Sequence, residues 1–228
     1  MYEDNPFEDE NIAQEWITSI EGEHGMIRDK ELYPFLTEWA KNFNGVILDI
    51  GAGQGICADY VQKNNSEYIG IDPSTVLIAR ANEKYLNPKR TFIVGNAYDL
   101  PIEANSVDVV LSVNTWFHLQ NLHKASQELS RVLKPNGVFL ISTANPSSYG
   151  YWEDMFDKDA QVSEKKIDGK VNIPVQSLLR NLVFKHTLNE IENNLLKVGL
   201  CIERIQDFGN QEKFAPHGLF LNVFGYKN

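Results

Sequence analysis

The residue types and spacings that could do chemistry begin at Asp49-Ile-Gly51-Ala-Gly53-Gln-Gly55, a carboxylate two positions ahead of three alternate glycines. Glycines at that spacing remove Cβ atoms where backbone must come close to a ligand. A dinucleotide fingerprint, Gly-x-Gly-x-x-Gly, would need its third glycine at position 56, which is Ile56. Asp49 argues against it too, because a carboxylate there repels a pyrophosphate and attracts a cation. Asp72 ends a second apolar run roughly 20 residues past the loop, where an acid can accept hydrogen bonds from both hydroxyls of a ribose. His118 is the imidazole expected nearest the chemistry, and two readings stay open for it, a general base or a wall of the site. Tyr149, Tyr151, His24, His186 and His217 stand behind it as candidate bases.

These residues need elements to hold them. Val46–Ile50 reads as a short strand buried on both faces of a parallel sheet, the glycines as a tight loop, and the stretch to about Asn64 as a helix whose opening N–H groups face the ligand. Tyr68–Asp72 is the second strand, and Ser74 is a credible N-cap for a helix to Leu86. Thr91–Val94 is the third strand and runs into Gly95-Asn96-Ala97-Tyr98-Asp99-Leu100-Pro101. Asn105–Val113 supplies the fourth, with Ser112–Leu119 leaving its carboxyl end, where open α/β sheets bind ligands. Leu122–Leu133 is an amphipathic helix, stopped by Pro135-Asn136-Gly137 before the fifth strand, Val138–Ser142. Residues 145–186 lose the pattern; aromatics Tyr149, Tyr151, Trp152 and Phe156, a charged run and a short helical patch near Leu178–Leu182 read as a lid or substrate loop. Thr187-Leu-Asn-Glu190 opens a helix with a capping box, and Leu200–Ile205 and Leu219–Tyr226 form two final strands, close enough in sequence to pair antiparallel. Ahead of the sheet, residues 1–10 are expected to be frayed, and helical segments follow from Asn11 and around Pro34.

The chain has 228 residues, 43% of them hydrophobic and 23% charged, which suits one soluble core with decorations. A net charge of -10 with no basic stripe disfavours nucleic acid as a partner. The sequence has neither a membrane span nor a signal-peptide pattern, so a cytoplasmic location is expected. Cys57 and Cys201 read as buried free thiols, and without a Cys/His cluster no metal site is expected.

The Asp49–Gly55 stretch resembles motif I of the class I S-adenosylmethionine (SAM) dependent methyltransferases, of the small-molecule type (methyltransferase domain 11/25-like). Gly95–Pro101 resembles that family's motif III region, with Asn96 where an Asp is usual. Arg131-Val-Leu-Lys-Pro-Asn-Gly137 resembles its Arg-x-Leu-Lys-Pro-Gly-Gly turn, and Trp16, Glu21-Gly22 and Arg28 resemble an entry segment whose Arg meets the SAM carboxylate. The resemblance implies an α/β, three-layer Rossmann-like sheet of seven strands, order 3-2-1-4-5-7-6 with strand 7 antiparallel, plus an N-terminal helical cap. It divides the chain into a cap at 1–44 and a methyltransferase domain at 45–228 with a lid-like insertion at 145–186. It implies SAM as cofactor and S-adenosylhomocysteine as product, bound by Arg28, Asp49, Gly51, Ala52, Gly53, Asp72, Pro73, Asn96, Ala97 and Val113. Its reaction is in-line transfer of a methyl group to an O, N or C nucleophile of a small molecule, by a monomer or homodimer. The alternatives are a methyltransferase of protein or RNA, or a SAM-binding regulator without turnover; a dehydrogenase is a remote further possibility.

Overall fold

The computed structural model describes residues 5–21, 28–63, 65–150, 170–175, 179–209 and 217–228. Its strands are β1 (Gly45–Ile50), β2 (Ser66–Asp72), β3 (Arg90–Val94), β4 (Val107–Val113), β5 (Leu133–Ala144), β6 (Lys170–Val175), β7 (Leu179–Phe184), β8 (Leu200–Phe208) and β9 (Phe220–Lys227). Its helices are α1 (Glu10–Glu21), α2 (Tyr33–Ala40), α3 (Cys57–Val61), α4 (Thr75–Tyr85), α5 (Leu122–Val132) and α6 (Leu188–Lys197).

Seven strands form one sheet in the order β3-β2-β1-β4-β5-β9-β8, with β9 antiparallel to both neighbours. This is the expected order, β8 and β9 being its sixth and seventh strands. Alternation along β1 sends Leu48 and Ile50 to one face and Ile47 to the other, so each face can carry its own helical layer. Leu122, Ala125 and Leu129 of α5 and Ile191 and Leu195 of α6 cover the first face. The second is covered by Leu36 and Ala40 of α2, Ala58 and Val61 of α3, and Ile78 and Ala81 of α4. The strand order reverses between β1 and β4, and the crevice at their carboxyl ends is bridged by Ser112 Oγ, which donates to the Ile50 carbonyl at 2.8 Å.

Several local expectations are corrected. α3 stops at Val61 because Gln62 is extended, with ψ 124°. α5 passes directly into β5 at Leu133, so Pro135–Gly137 lies inside the strand's span, with Asn136 at φ 62°. Leu179–Leu182 is not helical: Leu179–Phe184 pairs antiparallel with Lys170–Val175 as a separate two-stranded sheet. β-branched Val171, Ile173, Val175 and Val183 in those segments suit strands better than a helix. Cys201 is only half-buried, while Cys57 is buried, and both are free thiols. Residues 5–10 are not frayed. Pro6–Glu8 makes a turn whose Phe7 carbonyl accepts from Ser74 Oγ at 2.5 Å, and Glu8 Oε2 accepts from Thr75 Oγ1 at 3.2 Å. The predicted Glu21–Gly25 break beyond Glu21, and Tyr151, Trp152, Phe156, Leu178, His24 and Pro216, lie outside the described residues.

Candidate active site

An open cavity of about 1190 Å³ lies across the carboxyl ends of β1, β2, β3 and β4. Its wall includes Gly51, Ala52, Gly53, Asp72, Pro73, Asn96, Ala97, Val113 and His118, so nine residues singled out from the sequence and its family resemblance share one surface. Asp49 is not on that wall; it is buried in the end of β1, on the α2–α3–α4 face with Ile47. Arg28 opens a π-helical turn, Arg28–Leu32, ahead of α2, and its side chain lies outside what the structure describes.

The glycine loop is fastened to β2. Gly51 N–H and Ala52 N–H both donate to the Ile71 carbonyl, at 2.7 and 3.0 Å, and Gly53 N–H donates to Asp72 Oδ2 at 2.9 Å. The loop therefore turns these three donors toward its own scaffold. A pyrophosphate would find a carboxylate and spent N–H groups, which removes the basis of a dinucleotide cradle. The glycines also differ in purpose. A Cβ on Gly51 would lie 2.0 Å from Thr115 Oγ1, and one on Gly55 2.8 Å from the Phe92 ring, whereas a Cβ on Gly53 meets nothing within 4 Å. Gly53, at φ 54°, faces open cavity.

Asp72 is held at both oxygens, since Oδ1 accepts from Ser74 N–H at 2.9 Å. Burial nevertheless pushes its carboxyl up to about 6, against the pull of the Ser74 and Gly53 N–H groups and with a smaller push from the Glu8 charge. Asp49 accepts from Tyr68 Oη at 2.6 Å on Oδ2. Burial raises it to about 7, the Tyr68 hydrogen bond opposing and the Asp72 charge adding. Its Oδ1 is buried without a partner, as are Gln54 Nε2 and Asn114 Oδ1. Gln54 and Asn114 lie on the cavity wall, so a donor and an acceptor left unpaired there match the carboxylate and ammonium of an amino acid. Tyr68, Gln54 and Asn114 were missed from sequence: Tyr68 reaches Asp49 only through the β1–β2 register, which pairs it with Ile47. Asn114, at φ 53°, follows a strand end and has no motif to mark it.

On the third side, Asn96 Oδ1 accepts from Tyr98 N–H at 2.8 Å, so the side-chain carbonyl shapes the turn that borders the cavity. Arg131 explains why its turn motif matters here. Its guanidinium donates to the carbonyls of Ile102 and Leu100 at 2.7 and 2.9 Å and pairs with Glu128, clamping the loop that carries Asn96 and Ala97. The mouth is crossed by Phe7, whose ring packs 5.3 Å from Trp16 and edge-on 6.4 Å from His118. β7 runs beside the Trp116–His118 turn and the Pro6–Glu8 turn. Beyond His118 the wall continues through Leu119, Phe184, His186, Glu190 and Asn194. Tyr149 Oη donates to the His186 carbonyl at 3.2 Å, while His217 is exposed and 3.9 Å from Asp207, away from the cavity.

Residues 48–141 match a family model described as a methyltransferase domain. A probable S-adenosylmethionine-dependent methyltransferase of Mycolicibacterium smegmatis is 33% identical over 108 residues, 47% of this chain and 41% of that protein. The chain thus matches about two fifths of the length of that curated relative. Among solved structures, a protein of Pyrococcus horikoshii superposes with a TM-score of 0.72 at 23% identity, covering 92% of this chain and 94% of the other. An S-adenosylmethionine-dependent methyltransferase of Mesorhizobium loti does so with a TM-score of 0.66 at 19% identity, covering 85% and 96%. At these identities the superpositions speak for the fold, which is the Rossmann-like one. Residues 48–141, with the motif loop and the sheet order that frame them, carry a methyltransferase domain similar to those of class I S-adenosylmethionine-dependent methyltransferases.

Proposed function

We propose that the protein transfers the methyl group of SAM to an O, N or C nucleophile of a small molecule. The observation that carries this reading is the pairing of Gly53, whose missing Cβ leaves room for a ligand, with a buried Asp72 reached by the same loop. In this reading Asp72 accepts from the ribose hydroxyls, Pro73, Asn96 and Ala97 seat the adenine, and Gly51, Ala52, Gly53 and Val113 surround the methionine end. Asp49 supplies negative charge through the loop instead of touching the cofactor, and Arg28 meets its carboxylate on the strength of the resemblance. When bound, SAM supplies a methyl group on a positively charged sulfur that leaves neutral, so the protein's task is alignment and exclusion of water. His118 serves as a wall on which Phe7 rests. A small acceptor is supported by the cavity, which exceeds the roughly 300–1,000 Å³ of an ordinary single-ligand pocket, and by the acidic charge of the chain. We further propose that segment 145–186, including the β6–β7 hairpin, covers the acceptor end.

Calorimetry tests this. SAM and S-adenosylhomocysteine are expected to bind, and Asp72→Asn, which keeps an oxygen for one of the two backbone donors, to weaken both by about 1–3 kcal/mol. Tight NADH binding with none for SAM would overturn the reading, and unchanged affinity in the variant would take Asp72 out of the ribose site. SAM binding without turnover in a broad acceptor screen would favour the regulator.

A further inference from the structure

His186 lies between β7 and α6, on the wall of the same cavity as the glycine loop. Its Nε2 is 2.6 Å from the carbonyl oxygen of Leu119. A carbonyl can only accept, so Nε2 carries the ring proton, and in the neutral ring Nδ1 is left with the lone pair. Among the described residues Nδ1 has no hydrogen-bond partner. The ring is held from several sides. The His186 N–H donates to the Phe184 carbonyl at 3.0 Å, Tyr149 Oη holds the His186 carbonyl, and the Phe184 ring lies 6.0 Å away at 20°. Burial lowers the imidazole pKa, with the Leu119 carbonyl and the Glu190 charge opposing. Tyr149 is pushed by burial up to about 12 and stays protonated. The other charged groups around this end of the cavity are Lys124 of α5, Lys185 and Glu190. A neutral imidazole of fixed tautomer, with its basic nitrogen uncommitted, is poised to take a proton.

We propose that His186 Nδ1 receives the proton released by the methyl acceptor, so that this end of the cavity takes molecules whose reacting atom is a neutral O–H or N–H. The inference rests on the methyltransferase reading above. In the balanced step, a lone pair of the acceptor oxygen or nitrogen forms the bond to the methyl carbon. The carbon–sulfur bond breaks with its electron pair going to the sulfonium, which becomes neutral. The acceptor's proton goes to Nδ1 and from there to solvent. An acceptor that is already an anion, such as a carboxylate, has no proton to give and gains nothing from His186.

The test is nitrogen NMR of the labelled histidine rings in protein saturated with S-adenosylhomocysteine, with the His186 signals assigned by their loss in His186→Gln. Glutamine retains an N–H for the Leu119 carbonyl, so the variant is expected to fold. Phenol and pyrazole serve as neutral O–H and N–H probes. The expected result is an Nε2–H ring at pH 7, titrating below the ordinary value of about 6.5, whose Nδ1 signal moves when either probe is added. A purely structural His186 would show no probe response. An Nδ1–H tautomer, a charged ring at pH 7, or a response to neither probe overturns the proposal. If S-adenosylhomocysteine does not bind, it is the methyltransferase reading that fails, and the tautomer read in the ligand-free protein still decides whether Nδ1 is the basic atom.

Discussion

At the scale of single residues, the two glycines at the heart of the loop have separable duties. Gly51 adopts φ 81° with the Thr115 hydroxyl where a Cβ would go, so Gly51→Ala combines backbone strain with a clash in the β1–β4 crevice. Gly53→Ala adds a methyl to open cavity at φ 54°, costing about 1–2 kcal/mol of conformational strain and little else in the ligand-free fold. Thermal unfolding should therefore show a large loss for the first variant and a small one for the second, with calorimetry showing lost SAM binding in the second. A Gly53→Ala protein that binds SAM normally would mean the loop does not touch the cofactor. Asp49 leads to a pH prediction. Its folded pKa of about 7 and that of Asp72, about 6, both lie above the ordinary carboxyl value of 3.8. A raised carboxyl contributes stability that is complete below the unfolded value and is lost as pH rises through the folded one. The ligand-free protein should accordingly lose stability from about pH 4 to pH 7 through these two groups. Asp49→Asn removes the larger share while keeping an acceptor for Tyr68. Urea unfolding at pH 5 and pH 8 should differ by less in the variant than in the parent protein, by a few kcal/mol; an equal difference would show that Asp49 stays ionised throughout.

At the scale of elements, the turn at Pro6–Glu8 is the piece that crosses the mouth of the cavity. It is anchored to the start of α4, where Ser74 both caps the helix by accepting from Leu77 N–H at 3.2 Å and donates to the Phe7 carbonyl. The same first turn of α4 follows Asp72, so the Pro6–Glu8 strap and Asp72 are fixed to one short segment, Asp72–Thr75. Phe7→Ala leaves these backbone anchors in place and removes only the ring between Trp16 and His118. An aromatic contact of this kind is worth about 0.5–1.5 kcal/mol. Release of S-adenosylhomocysteine in stopped flow should become roughly five-fold faster, corresponding to about 1 kcal/mol, with melting temperature nearly unchanged. Unaltered release would mean that the strap does not lie over the ligand. Nothing in Asn5–Asp9 announces this role, because an acidic stretch with one proline carries no periodicity and its order comes from partners sixty-seven residues away.

For the whole molecule, what could be read from sequence was what local patterning determines. Ile47, Val109, Val110 and Leu140 are fully or almost fully buried in runs too short for helices, and such runs mark central parallel strands wherever they fall. The order of those strands and the reading of Asn96 came with the family resemblance, while Asp72 and His118 were legible because they stand at or just past strand ends. What escaped depends on register or on distant contacts: the Tyr68–Asp49 pair, the hydrogen bond from His186 to Leu119, and the β6–β7 pairing in a segment with no caps or clear alternation. The least local question is whether residues 1–44 are a separable cap. Leu32, Tyr33, Leu36 and Ala40 are at most 3% exposed and pack in the same cluster as Ile47, Val61 and Leu111 of the sheet domain. Burying each large side chain contributes about 1.5–3 kcal/mol, so stripping three of them from one face approaches the roughly 5–15 kcal/mol by which domains are stable at all. A chain starting at Gly45 is therefore expected to show no cooperative unfolding transition. A chain starting at Glu10 keeps α1 and α2, and is expected to unfold cooperatively within a few degrees of the full chain while binding S-adenosylhomocysteine more weakly. Circular dichroism melts of the two truncations decide the matter: a cooperative, ligand-stabilised transition in the chain starting at Gly45 would make the N-terminal segment an appendage, whereas its absence places α2 inside the domain that holds the site.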